Sequence, residues 1–247
     1  MIKSEINKNV YIITIDRPRV NAIDAETLIA LENKINEAEN DKNSNTILIT
    51  GEGSFFSFGL DIPSFLELNR EDLKVSINRL LSICKTIYLS NKVTIAAING
   101  HATGGGCMVA ISTDFRFMVN QRAKIALNEI NIGLSLFSSS ISMLKNSIGL
   151  DKAKKFLLTG DLISSEAAKD MGLIHEIFHK EELFDKSMEF AHTFENKNAL
   201  IIQNMKQELI QSNINELDDS DESIESFLDI FYLPETQKIL KEIKIKK

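Results

Sequence analysis

The chain has no tryptophan, three prolines and two cysteines in 247 residues. Cys84 and Cys107 stand far apart and in no CxxC pair, so neither a disulfide framework nor a cysteine-based zinc cluster follows from them. They suit a reducing compartment. With prolines only at Pro18, Pro63 and Pro234, no Pro-rich linker divides the chain, and it shows no Ser-rich linker or clear repeat. No apolar run approaches the ~20 residues that cross a bilayer as a helix. Met1 to Val10 has no apolar signal core and no Arg-rich amphipathic stretch, and Ile245-Lys246-Lys247 is not a peroxisomal address. A soluble, cytoplasmic protein with no membrane partner is expected. Positive charge is in the minority too: 28 Lys and Arg face 35 Asp and Glu, a formal net charge of −7. That balance argues against a nucleic-acid partner held by a basic surface. The one dense basic run, Lys241 to Lys247, alternates with Ile and Glu and reads as the solvated end of a last helix.

What is present is enough apolar side chain for a real core: 43% of residues are hydrophobic and 26% charged. The β-branched run Val10 to Ile15 reads as a strand, and Thr46 to Thr50 and Val93 to Ile98 as buried strands. Asp24 to Ala38 has apolar residues at helical spacing, with Asp24 as its N-cap. A second helix spans about Glu71 to Leu89. Asn99 to Gly106 reads as a Gly-rich turn, Cys107 to Ile111 as a buried helix, and Phe115 to Val119 and Lys124 to Leu127 as short strands. Beyond residue 139 the pattern is mostly helical, with long helical stretches in Asp185 to Gln211. Asn213 to Ser223 is acidic and polar and reads as a loop. Ile224 to Lys246 reads as one or two terminal helices, with Pro234 in a first turn. Strands alternating with helices make this an α/β body, residues 1–194, with a helical region at 195–247.

Common motifs fail. The glycines fit neither GxxxxGK[ST] nor GxGxxG. Gly133-Leu134-Ser135-Leu136-Phe137 approaches a nucleophile elbow but lacks its final glycine. His175-Glu176-Ile177-Phe178-His179 fits HExxH, a motif that ligates zinc when a helix puts both rings on one face. Here Gly172 ends a helical pattern and Leu173 to Phe178 looks extended, so no metal site is expected.

Two segments promise backbone chemistry: Phe55 to Ile62, and Asn99-Gly100-His101-Ala102-Thr103-Gly104-Gly105-Gly106-Cys107. Three glycines after a buried strand and ahead of a helix leave amides bare, and such amides face developing negative charge. Donors from two separate turns can form an oxyanion hole. The same glycines also serve close packing of strand against helix, so alone they do not decide between the two.

Taken together, the segments resemble the enoyl-CoA hydratase/isomerase superfamily, the crotonases, over nearly the whole chain. Arg17-Pro18-Arg19-Val20-Asn21-Ala22-Ile23 looks like its first CoA-contacting segment. Phe58-Gly59-Leu60-Asp61-Ile62 looks like its AGxD[IL] segment. Ala97 to Cys107 resembles its second oxyanion segment, and Phe227 to Leu240 its terminal helical region. The resemblance implies a spiral of ββα units, a C-terminal trimerisation region, and an acyl-CoA substrate whose coenzyme A is part of the substrate, with no separate cofactor. A homotrimer or hexamer is implied. The resemblance places oxyanion donors at the N–H groups of Leu60 and Gly105. It also implies substrate contacts at Val20, Asn21, Ala22, Phe58, Gly59, Leu60, Asp61, Ile62, Gly105, Met108 and Asn128. Phe58 stands where the family usually has Ala, a departure that bears on the shape of the adenine pocket.

The choice of reaction rests on acid/base groups. Hydratases of the family carry a glutamate directly after the Gly-rich Cys, where this chain has Met108. Their second glutamate lies in a Pro-Glu pair, matched here by Asn128-Glu129. Glu129 sits among Ile125, Leu127, Ile130, Ile132 and Leu134, and desolvation by such neighbours raises a carboxyl pKa. One carboxylate suffices to carry a proton from C2 to C4 of a 3-enoyl thioester. Crotonases that shift dienoyl bonds carry an Asp where this chain has Phe137. The resemblance is strongest to Δ3,Δ2-enoyl-CoA isomerases, with Glu129, Leu60 and Gly105 as the catalytic groups. Hydration, decarboxylation, thioester hydrolysis, or acyl-CoA binding with weak catalysis stay open as alternatives.

Overall fold

In the computed structural model the described residues are 1–120 and 122–245, so Lys246 and Lys247 of the basic tail lie outside them. The run Val10–Ile15 is β2, and the residues before it, unassigned from sequence, form β1 (Ile2–Asn7), paired antiparallel to it. After β3 (Ala22–Ile23), Asp24 caps α1 (Ala25–Asn40) by accepting the Thr27 N–H at 2.9 Å. Leu28, Leu31, Ile35 and Ala38 give α1 its buried stripe.

The chain then repeats one theme. A strand joins the main sheet, a short strand joins a second layer, and a helix closes the turn. β4 (Thr46–Gly51) leads to β5 (Phe55–Ser57), β6 (Gly59–Leu60), the single turn α2 (Ile62–Phe65) and α3 (Arg70–Tyr88). β7 (Val93–Ile98) leads to β8 (His101–Thr103) and α4 (Gly105–Ile111). β9 (Phe115–Val119) leads to β10 (Lys124–Ala126), a 3-10 turn at Glu129–Ile132 and α5 (Ser138–Ile148). The main sheet runs β1-β2-β4-β7-β9, with β2 to β9 parallel and almost wholly buried, as parallel strands covered on both faces must be. This is the ββα spiral of the crotonase fold.

The rest is α6 (Leu150–Thr159), β11 (Ile163–Ser164), α7 (Ser165–Met171), β12 (Glu176–Phe178) and α8 (Lys180–His192). α9 (Ala199–Ile210), a 3-10 segment at Gln211–Leu217, α10 (Asp221–Phe231) and α11 (Pro234–Glu242) complete the chain. β12 closes the main sheet beside β9. β11-β10-β8-β5 form the second sheet, and β3 pairs with β6.

Two sequence expectations need correction. Asn99 to Gly106 is not one turn, because β8 lies within it, held between β5 and β10 by pairings remote in sequence. The helical stretches of Asp185 to Gln211 are α8 and α9, with Asn198 capping the second. The acidic stretch Asn213 to Ser223 is not a loop throughout. Its carboxylates find partners: Glu216 pairs with Lys145 at 2.7 Å, Asp218 with Lys85, and Asp219 with Ser139. Ser220 then caps α10 by accepting the Ser223 N–H at 3.1 Å.

Candidate active site

The site is built where β6 meets the first turn of α4. Gly59 has φ +96°, and a Cβ there would lie 2.6 Å from the Thr103 carbonyl oxygen and 3.0 Å from the Gly105 nitrogen. Only glycine lets the two backbones come so close. Gly106 does the same for α4 against β5, since its Cβ would sit 2.5 Å from the Ser57 carbonyl oxygen.

Two amides are left unspent by this approach. The Phe58 N–H donates to Val20 O and the Asp61 N–H to Ile23 O, both at 2.9 Å. In a parallel ladder, the residue paired opposite Ile23, Leu60, turns its own N–H away from β3. Gly105 opens α4, so its N–H has no acceptor within the helix. The two are neighbours: a Cβ on Gly105 would lie 3.6 Å from the Leu60 nitrogen. The preceding amide, Gly104, is already donated to Ala126 O at 3.0 Å. A pair of fixed, adjacent donors suits an oxygen on which negative charge develops.

Beside them is a cavity of about 190 Å³, walled mostly by apolar side chains. Among its described lining residues Glu129 is the one ionisable side chain. The 3-10 turn that carries Glu129 ends at Gly133 with φ +73°, and Leu134 N–H returns to Glu129 O at 3.0 Å. Glu129 Oε2 is buried without a hydrogen-bond partner, and a Cβ on Gly104 would lie 3.5 Å from Oε1. Burial pushes this carboxyl up from 4.5 to about 7, and a hydrogen bond from its own backbone N–H opposes part of that rise. Ile132 and Leu134 line the cavity with it, as the sequence suggested, but Ile130 turns outward and is 48% exposed. A 3-10 turn cannot put every residue of the run on one face, so that neighbour is corrected.

Of the sequence-derived contacts, Phe58, Leu60, Ile62, Gly105, Met108, Asn128 and Glu129 line this one cavity. Val20, Asn21, Ala22, Gly59 and Asp61 do not; they hold the segment that places it. Asn21 sits at φ +50°, and its amide donates to Glu52 O and Phe55 O. Its Oδ1 accepts the Arg17 N–H. Asp61 pairs with Arg17 at 2.7 Å and caps α2 through the Ser64 N–H. Arg17 also pairs with Asp24 at 2.8 Å and donates to Ala22 O. Sequence reasoning missed Leu80, Leu162 and Ile243 as cavity walls, and gave Phe227 no such role. No local signal marks them, since an apolar residue looks the same whether it faces core or cavity.

The HExxH residues lie on and beside the extended β12. His175 Nδ1 accepts the Arg116 N–H at 3.0 Å, and His179 Nδ1 meets the Asn120 amide at 2.9 Å. No helix of the described residues is long and apolar enough to cross a membrane.

Residues 5–238 match the family described as enoyl-CoA hydratase/isomerase. The chain is 29% identical to 2,3-dehydroadipyl-CoA hydratase of Escherichia coli (strain K12) over 207 residues, 83% of this chain and 80% of that one. It is 32% identical to a probable enoyl-CoA hydratase of Bacillus subtilis (strain 168), over 86% of this chain and 82% of that one. The enoyl-CoA hydratase structure from Bacillus halodurans superimposes with a TM-score of 0.90 at 28% identity, covering 98% of this chain and 99% of that chain. Human mitochondrial delta3-delta2-enoyl-CoA isomerase superimposes with a TM-score of 0.91 at 24% identity, covering 98% and 95%, a likeness of fold. Matched from near its start to near its end, this chain belongs to the enzymes of the enoyl-CoA hydratase/isomerase family.

Proposed function

We propose that the protein is a Δ3,Δ2-enoyl-CoA isomerase acting on a fatty acyl-CoA. In this reading the thioester oxygen lies between the N–H groups of Leu60 and Gly105. Glu129 takes a proton from C2, the C2–H electron pair moves into the conjugated dienolate, and the amides hold the charge on oxygen. The protonated Glu129 then gives its proton to C4, which leaves the double bond between C2 and C3. One group serves as base and acid in turn, which suits a carboxyl held near pH 7. The single observation that carries the reading is that Glu129 stands alone among ionisable side chains of the described wall. Met108 occupies the position where the resembling hydratases place their other glutamate. Coenzyme A enters as part of the substrate, and no separate cofactor is invoked.

A second reading, enoyl-CoA hydration, is favoured by the names of the relatives, which are hydratases. Hydration needs a water held toward C3, and among the described residues Asn128 and Ser135 are polar wall side chains with no hydrogen bond, unlike Thr103, which donates to Phe58 O. Neither is a base.

Assembly into a trimer or hexamer belongs to the same proposal. On α9, Ile201, Met205 and Leu209 stand one turn apart and are 54%, 64% and 78% exposed. An apolar stripe of this kind favours burial against another copy. Residues 1–194 would then form the catalytic spiral, and 195–247 the region that assembles copies and adds Phe227 and Ile243 to the cavity wall.

Glu129→Gln tests the chemistry. It keeps the shape and removes the base, and should slow double-bond migration by at least ~10²–10⁴-fold while acyl-CoA affinity stays within a few-fold. Near-normal turnover of the variant would move the chemistry to another group.

A further inference from the structure

We propose that the cavity selects short acyl tails, and that the packed ring pair Phe137 and Phe227 is the wall that ends it. This rests on reading the cavity as the acyl-CoA site. Its lining differs in exposure. Leu162 is exposed and Phe58 and Ile243 are half-buried, whereas Leu80, Phe137 and Phe227 are buried. In this proposal the exposed residues mark the mouth and the buried rings the closed end.

The wall joins two segments remote in sequence. Phe137 immediately precedes α5, and Phe227 lies on α10. Their ring centroids are 4.8 Å apart with planes tilted by 42°, within the range of favourable aromatic pairs. The contact is latched beside the rings. Asp219 accepts the Ser139 N–H at 3.1 Å and the Ser139 hydroxyl on its other oxygen. Asp219 directly precedes Ser220, the residue that caps α10. The latch thus ties the start of α5 to the start of α10, and with them one ring to the other.

The volume sets the scale. At ~30 Å³ per water-sized group, a cavity of about 190 Å³ holds on the order of six such groups. That is a thioester head and a short tail, a chain of about four to six carbons. Each methylene that still finds apolar wall should tighten binding about fourfold. The next one meets two buried rings in close-packed surroundings, where extra volume is not accommodated without displacement. The gain should stop there.

The test uses saturated acyl-CoAs from butanoyl to dodecanoyl, with dissociation constants measured by calorimetry on the full chain. Saturated thioesters cannot isomerise, so tail selection is read apart from the reaction. In the wild type, affinity should climb about fourfold per methylene to about hexanoyl-CoA and then level or fall. In Phe227→Ala and Phe137→Ala the climb should continue at least two methylenes further, a gain of about tenfold or more for octanoyl-CoA. If either alanine variant fails to fold, Phe→Leu at the same position should still move the break by one methylene. An unbroken climb to dodecanoyl-CoA in the wild type would overturn the proposal. So would a break that stays at the same length in folded variants of both rings. In those two outcomes an active isomerase would leave the proposed function standing. Failure of every acyl-CoA to bind would overturn that function as well.

Discussion

Glu129 is under opposed demands at the residue scale. Burial favours its neutral form in the folded state, while the proposed catalysis needs the charged form in a useful fraction of molecules. A folded-state value of about 7 meets both near neutral pH. The kcat/KM for isomerisation should therefore fall as pH drops below about 7, with a limiting slope of one proton, read from a pH–rate profile of the free enzyme. Stability should run the other way. The folded protein holds this proton more tightly than the unfolded chain, so the stability it lends is complete below pH 4.5 and lost as pH rises to about 7. At pH 8 the loss is about 3 kcal/mol. Glu129→Gln should thus raise Tm at pH 8 and gain little at pH 4.5. Equal shifts at both pH values would mean the carboxyl is not desolvated as the geometry implies. That Glu129 would be desolvated was legible from its apolar neighbours in sequence. That its shielding comes partly from Gly104 was not, because β10 brings the two together only in the fold.

At the scale of elements, the two amides proposed to hold the oxyanion are a by-product of close packing. β6 can lie against α4 because Gly59 lacks a Cβ, as β5 can because Gly106 does, and that approach is what sets Leu60 N–H beside Gly105 N–H. The two uses of glycine left open by the sequence are the same use. Gly105 itself is different: its Cβ would meet Leu80 and Leu60 only at 3.5–3.6 Å, ordinary contact. It is also the first residue of α4, where a helix tolerates proline. Gly105→Pro should therefore fold and lose one oxyanion donor, at a cost of ~10²–10³-fold in kcat. A folded variant, checked by circular dichroism, with full activity would remove that amide from the mechanism. Strands β2, β4 and β7, the capped helix α1 and the short α4 were readable because each is fixed by local patterns. Asn21 and Asp61 lie outside the described lining of the cavity and are tied into the frame beneath it. Their partners, Glu52, Phe55 and Arg17, come from other turns of the spiral, and spacing along the chain does not reveal them.

For the whole molecule, the fold class was readable from alternating strands and helices, while the C-terminal wall of the site was not. The acidic run before α10 read as a loop. In the fold it is tied to α3 and α5, through Lys85 and Lys145, next to the helix that carries Phe227 into the cavity wall. The exposed stripe of α9 makes a separate claim. Met205→Lys with Ile201→Lys should lower the assembly from a trimer or hexamer toward a monomer, measured as molar mass by light scattering at matched concentration. A wild type that is monomeric at micromolar concentration would remove assembly from the account.

The central claim is that one carboxylate, facing an apolar wall with Met108 in it, moves a proton and does not add water. Met108→Glu would place a second carboxyl in the cavity, and it should raise hydration measurably, with one of the two groups pushed to a higher pKa by the other. The unmodified protein gives the most direct answer: the rate of hydration of a short 2-enoyl-CoA divided by the rate of isomerisation of the matching 3-enoyl-CoA. The account predicts a ratio far below one, and a ratio near or above one would contradict it and make the protein a hydratase.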